Sequence, residues 1–175
     1  MKKTTIEGRC WIISDSQGEL IQNIDTDMIF HNAHLAITDI SEMGKYAFGN
    51  LDGWQDFSEK VQQGDIILAG ANFGAGSSRQ QAVDCFAALG IQAIIAESFG
   101  AIYYRNAVNS GFPVLIAENL HNAKIVSGDK IRINFETGDL LNLSKNEKIS
   151  DAKPFSKIQH EIYLAGSLFN VNPGN

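Results

Sequence analysis

Cysteine is scarce in this chain: Cys10 and Cys85 are the two present among 175 residues. They are far apart and flanked by apolar residues. That excludes a disulfide framework, and two thiols cannot supply the four that usually hold an iron–sulfur cluster. Both are expected to be small buried hydrophobes in a reducing compartment. Proline is nearly as rare, with three residues that mark no linker or domain boundary. No apolar run approaches the roughly 20 residues of a membrane-spanning helix, and the opening Met1-Lys2-Lys3-Thr4-Thr5 lacks the apolar core of a secretory leader. No membrane partner is expected, and the cytoplasm is the expected location. Positive charge is also short, with Lys and Arg totalling 14 against 20 Asp and Glu, a net charge of -6. This argues against a surface that tracks nucleic acid, although a local arginine can still bind an anionic ligand. The four histidines, His31, His34, His121 and His160, are not spaced as a metal-binding set with one another or with cysteine. They read as partly exposed loop or surface residues.

What is present describes an ordinary globular protein, 44% hydrophobic and 9% aromatic, long enough to bury its own core. Residues 1–175 read as one domain without repeats. Strands are predicted at 9–14, 65–69, 93–96, 114–116, 130–135 and 140–143, and helices at 80–89, 101–109 and 155–164. Strands alternate with helices in the middle of the chain, and a hairpin turns through Thr137-Gly138-Asp139. The pattern predicts a layered α/β fold with a mixed, partly parallel sheet. Residues 38–64 form a long, possible lid-like and mobile connection, whose aromatics Tyr46, Phe48, Trp54 and Phe57 alternatively form a satellite cluster on the main core.

The densest chemistry lies in Gly70-Ala-Asn-Phe-Gly-Ala-Gly-Ser-Ser-Arg-Gln-Gln-Ala82, between an apolar strand and a helix. Glycines there free the backbone to approach a ligand, and Ser77, Ser78 and Arg79 follow at the predicted helix start. Unpaired amides, the helix dipole and a guanidinium together suit a carboxylate or phosphate. The spacing also fits a plain turn in which Ser77 or Ser78 caps the helix. Gly76 is followed by Ser77 rather than Lys, which excludes a triphosphate-binding loop. Gly70, Gly74 and Gly76 miss the G-x-G-x-x-G spacing of a dinucleotide fingerprint. Upstream, Asn23-Ile-Asp-Thr-Asp27 has the oxygen-rich look of a calcium loop but places Met28 and His34 where that loop needs Gly and Glu. Asp25, Thr26 and Asp27 then read as turn formers or helix caps.

These two motifs, with Ala96-Glu-Ser-Phe-Gly-Ala-Ile-Tyr-Tyr-Arg-Asn106 third in order, resemble the small subunit of 3-isopropylmalate dehydratase, within the aconitase superfamily. The resemblance covers about residues 8–116, and the segment ending Ile162-Tyr-Leu-Ala-Gly-Ser-Leu-Phe169 is similar to that family's C-terminal helix. It implies the layered β/β/α swivelling domain of the superfamily and a hydro-lyase of leucine biosynthesis that is active only with a large subunit, as a heterodimer or heterotetramer. It further implies that a 4Fe-4S cluster sits on that partner, with no cofactor held by this chain. Ser77 is the implied catalytic base. Ser78, Arg79, Asn72, Gly74 and Gly76 are implied to bind substrate beside it, and Asp25, Thr26 and Asp27 border the cleft, orienting substrate or the serine turn.

His34-Leu35-Ala36-Ile37 aligns with the family's loop that reads the substrate's variable group. Relatives that take an extra carboxylate tend to carry arginine where this chain has Ala36. Leu35 and Ala36 therefore favour an apolar substituent, such as that of isopropylmalate, because a buried unpaired carboxylate is costly. Two departures bear on substrate choice: His34 replaces a frequent tyrosine, and Gln80-Gln81 replaces a common Glu-His. Arg105 and Ser98 are not assigned to catalysis. A methylmalate/citraconate or homoaconitate hydratase subunit, or a non-catalytic carboxylate-binding module, are the alternatives.

Overall fold

The computed structural model describes residues 1–172; the last positions of the expected 1–175 domain lie outside them. Seven strands build the fold: β1 Thr5–Ile12, β2 Ile66–Ala69, β3 Ala93–Ala96, β4 Val114–Ile116, β5 Lys130–Asn134, β6 Asp139–Asn142 and β7 Glu147–Asp151. They form a mixed sheet in the order β4-β3-β2-β1-β5-β6-β7. β1 to β4 run parallel to their neighbours, whereas β1–β5, β5–β6 and β6–β7 are antiparallel.

Side-chain chemistry separates the two halves. Every residue of β2 and β3 is buried, as befits strands covered on both faces, whereas β5 alternates between exposed and buried positions as a half-solvated strand does. Alternate residues of the parallel strands feed two cores. One holds Ile67, Ala69, Ile94, Ala96 and Val114 under the helices α4 (Gln81–Ala88) and α5 (Ala101–Asn109). The other holds Ile66, Leu68, Ala93, Ile95 and Leu115 against Ile131, Ile133, Phe135, Leu140 and Tyr163 of the helix α6 (Lys157–Ala165). Three short helices, α1 (Thr26–Ile29), α2 (Ile40–Met43) and α3 (Phe57–Lys60), precede β2.

The 38–64 connection is built around a plug. Phe48 and Phe57 are fully buried, with ring centroids 5.1 Å apart, and Phe48 lies 5.0 Å from Phe86 of α4 and 6.3 Å from Phe73. The connection thus supports the glycine-rich turn from beneath. Two sequence expectations need correction. β1 begins at Thr5 rather than residue 9, running through Gly8, where a Cβ would lie 2.1 Å from the carbonyl of Gly64; glycine serves a close backbone approach there and does not break the strand. β7, Glu-Lys-Ile-Ser-Asp, has no fully buried residue, so it carries no apolar pattern from which to predict it.

Candidate active site

Two loops distant in sequence lie side by side at the end of the parallel strands. Asp25 forms a parallel bridge with Ala75, and Phe73 another with Phe99. The amide of Gly74 donates to Ile24 O at 2.7 Å and that of Thr26 to Ala75 O at 2.9 Å. The three motifs singled out in the sequence are therefore one hydrogen-bonded layer, with the glycine turn in the middle.

Each loop residue is fixed for a physical reason. Asp25 caps α1, its Oδ1 accepting from the amide of Met28 at 2.8 Å. Thr26, buried, donates Oγ1 to Ser77 O at 3.0 Å. Asn23 and Asn72 both adopt left-handed backbone angles, φ 55 and 57, a region asparagine tolerates. Asn72 Nδ2 donates to Asn23 Oδ1 at 2.9 Å, and the Asn72 amide donates to Ser98 Oγ at 2.7 Å. Ser98 thus shapes the turn, and Asn72 is occupied in doing the same.

Ser77 and Ser78 stand exposed at the tip. Ser78 Oγ accepts from Asn106 Nδ2 at 3.1 Å, while Ser77 Oγ bonds to no group among the described residues, so no internal His or carboxylate activates it as in a hydrolase triad. Neither serine caps α4, whose N-cap is Gln80. The amides of Ala82 and Val83 already donate to the carbonyls of Arg79 and Gln80, at 3.0 and 2.9 Å. Those two amides of the first turn are therefore taken, while the amides of Arg79, Gln80 and Gln81 have no partner among the described residues. In the turn the amides of Gly76, Ser77 and Ser78 are likewise without partners among the described residues, and Gly76 has φ +95, a backbone angle that glycine adopts without strain.

Arg79 and Gly74 make internal contacts that their spacing in the sequence does not announce. Arg79 points inward, its side chain 11% exposed, with Nη1 donating to Asp27 Oδ1 at 3.0 Å and Phe30 O at 2.8 Å. It anchors the turn, and Nε and Nη2 make no hydrogen bond among the described residues. The guanidinium in turn holds the Asp27 carboxyl below its ordinary range. Gly74 is buried, and a Cβ there would lie 2.2 Å from Tyr103 Cγ. Its missing side chain makes room for Tyr103, whose hydroxyl donates to Ala82 O at 2.9 Å.

The loop around Leu35 and Ala36 reaches the site through Asp27 and Gln81. Asp27 Oδ1 also accepts from the Asn32 amide at 2.9 Å, Asp27 Oδ2 from Asn50 Nδ2 at 3.1 Å, and Gln81 Nε2 donates to Leu35 O at 3.3 Å. Leu35 and Ala36 are exposed, and His34 stacks on Tyr46 at 3.9 Å between centroids. Asn50, from the long connection, and Asn106, inside the third motif, are contributors the sequence did not reveal. Their amides are common surface residues, and only the fold brings them here. Arg105 remains exposed and outside the site.

No group of three or more His, Cys, Asp and Glu side chains that could hold a metal occurs among the described residues. Cys10 and Cys85 are buried in different cores. Burial pushes the Cys10 thiol up to about 12 and raises Cys85 as well, so neither is poised as a thiolate ligand. The donors among the described residues do not fit an iron–sulfur cluster.

Comparison with known proteins places this architecture. Residues 16–119 match the family model for the aconitase C-terminal domain. A 3-isopropylmalate dehydratase small subunit from Caldicellulosiruptor saccharolyticus is 40% identical over 87% of this chain and 86% of its own. An isopropylmalate/citramalate isomerase small subunit from Methanocaldococcus jannaschii is 37% identical over 95% of this chain and 92% of its own. The crystal structure of a 3-isopropylmalate dehydratase from Methanocaldococcus jannaschii superposes with a TM-score of 0.82 at 34% identity, covering 95% of this chain and 92% of that one.

Proposed function

The chain belongs to the family of 3-isopropylmalate dehydratase small subunits, built on the aconitase C-terminal domain, and from that premise we propose that it supplies half of an active site that converts 2-isopropylmalate to 3-isopropylmalate in leucine biosynthesis. The observation that carries this reading is the exposed Ser77, its backbone pinned by Thr26 Oγ1 at 3.0 Å and its neighbour Arg79 tied to Asp27. A backbone fastened in this way presents one unpaired hydroxyl at the cleft edge, and proton transfer at carbon requires such a placed group.

Ser77, as its alkoxide, takes the carbon-bound proton and becomes the neutral hydroxyl; the C–H electron pair forms the double bond, and hydroxide leaves the adjacent carbon with the C–O pair, giving the unsaturated diacid. Water then adds back with exchanged positions, and Ser77 returns the proton. A serine hydroxyl is a poor base unless its anion is stabilised. The unpartnered amides of Gly76, Ser77 and Ser78 and the unbonded Nε and Nη2 of Arg79 are the groups of this chain suited to that work. A 4Fe-4S cluster on an iron–sulfur large subunit would supply Lewis acidity toward the departing hydroxyl and a substrate carboxylate. Partnership with that subunit, as heterodimer or heterotetramer, completes the proposal. The location proposed is the cytoplasm, in keeping with the lack of any described helix able to cross a membrane.

Citramalate, with a methyl group in place of isopropyl, is a second reading. It is favoured by the uncharged Leu35-Ala36 loop and by the name of the Methanocaldococcus jannaschii relative. The test is an anaerobic assay of unsaturated diacid in the ultraviolet, with this chain alone and with the large subunit, on isopropylmalate, citramalate and homocitrate. Activity in the mixture alone, on the first two substrates, is expected. No activity in any mixture, with tight carboxylate binding by this chain alone, would overturn the enzyme in favour of a binding module.

A further inference from the structure

The loop that would face the substrate's substituent carries little structure of its own. Residues 32–34 form a single 3-10 turn, and Leu35 and Ala36 project into solvent. Besides its own turn bonds and the packing of Ile37 on the core, the loop is tied to Asp27 and to α4. At its start the Asn32 amide donates to Asp27 Oδ1, the same oxygen that receives Arg79 Nη1. At its tip Leu35 O accepts from Gln81 Nε2 at 3.3 Å. His34, stacked on Tyr46, steadies the middle.

Asp27 is shared with the anchoring of Arg79, so its loss would disturb both loops. Gln81 is different: it is the first residue of α4, four positions beyond Ser77, and the hydrogen bond its side chain makes among the described residues is to the loop. We infer that Gln81 is a positioning residue for substrate selectivity, acting through the Leu35 carbonyl to fix the distance between the substituent-reading loop and the catalytic serine. This deepens the hydro-lyase reading and rests on it. The physical basis is that the Leu35 carbonyl is exposed and can turn to water when the bond is lost. Stability then changes little, but the loop gains freedom. A bulky apolar substituent that packs on a fixed loop suffers from that freedom, while a methyl group that hardly reaches it does not.

The experiment compares Gln81→Leu and Gln81→Glu, close in size but lacking the donor, with Gln81→Lys, which restores an N–H donor of similar reach. In the complex with the large subunit, the first two should raise KM for isopropylmalate roughly five- to tenfold, the scale of one hydrogen bond. kcat should stay within about threefold and KM for citramalate should hardly move. Gln81→Lys should recover much of the loss. Amide hydrogen exchange at residues 32–37 of the isolated chain should quicken in the first two variants and not in the third. Equal KM changes for both substrates, or no change for either, would overturn the inference. If the original protein acts on no diacid, the hydro-lyase reading fails, and the exchange data still decide whether Gln81 holds the loop: unchanged rates sink that as well.

Discussion

Thr26 Oγ1 donates to the carbonyl of Ser77 at 3.0 Å across a separation of 51 residues, and Thr26 is itself only 3% exposed. The serine tip is exposed while its fastening is not, so its position is inherited from the core.

Replacing Ser77 with alanine removes one exposed hydroxyl with no hydrogen-bond partner among the described residues. Turnover should fall by about a thousandfold or more, with an unchanged melting temperature and intact elution with the large subunit. Retained turnover would remove Ser77 from the reaction. Thr26→Val, which keeps shape and loses the donor, should cost about 1 kcal/mol of stability and lower kcat as well, measured by urea denaturation and the same assay.

Ala36→Arg places a cation on the exposed loop. Selectivity should move by roughly tenfold toward a homologue with an additional carboxylate, since one charge-assisted hydrogen bond is worth about 1.5–3 kcal/mol before losses of side-chain freedom. Unaltered kcat/KM ratios among isopropylmalate, citramalate and homocitrate would dissociate this loop from the substituent.

Gly74 and Gly76 should separate two causes of intolerance. Gly74→Ala meets Tyr103 Cγ at 2.2 Å and φ +77, whereas at Gly76 the nearest atom to an added Cβ is 3.7 Å away and only φ +95 opposes it. The first should cost several kcal/mol, and the second about 1–2 kcal/mol. Thermal denaturation of both variants checks the order, and equal losses would contradict the crowding at Tyr103.

Asp65 offers a pH prediction far from the serine. Its buried carboxylate accepts from Arg9 Nη2 and Trp11 Nε1, each at 2.7 Å, and from the Gln62 amide at 2.9 Å. Burial pushes its pKa up, but the bonds from Arg9, Gln62 and Trp11 outweigh that and leave it lowered from 3.8. A lowered folded value means the unfolded chain takes the proton first. The stabilisation is therefore complete above the unfolded value, near pH 4, and is lost as pH falls through the folded value. Asp65→Asn should flatten that acid limb of the urea midpoint and cost about 2–3 kcal/mol at neutral pH; an acid limb identical to the original would show that Asp65 does not titrate there.

Much of the fold was legible because the parallel strands are buried on both faces. Ile-Ile-Leu-Ala and Ala-Ile-Ile-Ala stand out as short apolar runs between turn residues, and α4 and α5 follow at helical spacing. The hairpin through Gly138 was equally plain. β7 was hidden for the opposite reason, since this mostly polar edge strand buries no residue fully and pairs with β6 through its backbone whatever its side chains. In the site, the glycine turn and Asp25 as a cap could be read locally. The inward turn of Arg79, the Tyr103 ring against Gly74 and the Gln81 tie could not. Each joins residues distant along the chain, and nothing in the spacing of either partner announces the other.

The place of β1 in the sheet has a consequence for how the protein comes into being. Cys10 faces Ile66 on one side, and Thr5 faces Asn134 on the other. A ribosome delivers β1 well before either neighbour exists, and its apolar residues must stay unpaired while the intervening chain is made. The sheet therefore cannot close around β1 until β5 has been made, and its two halves are joined by the strand that comes first in the chain.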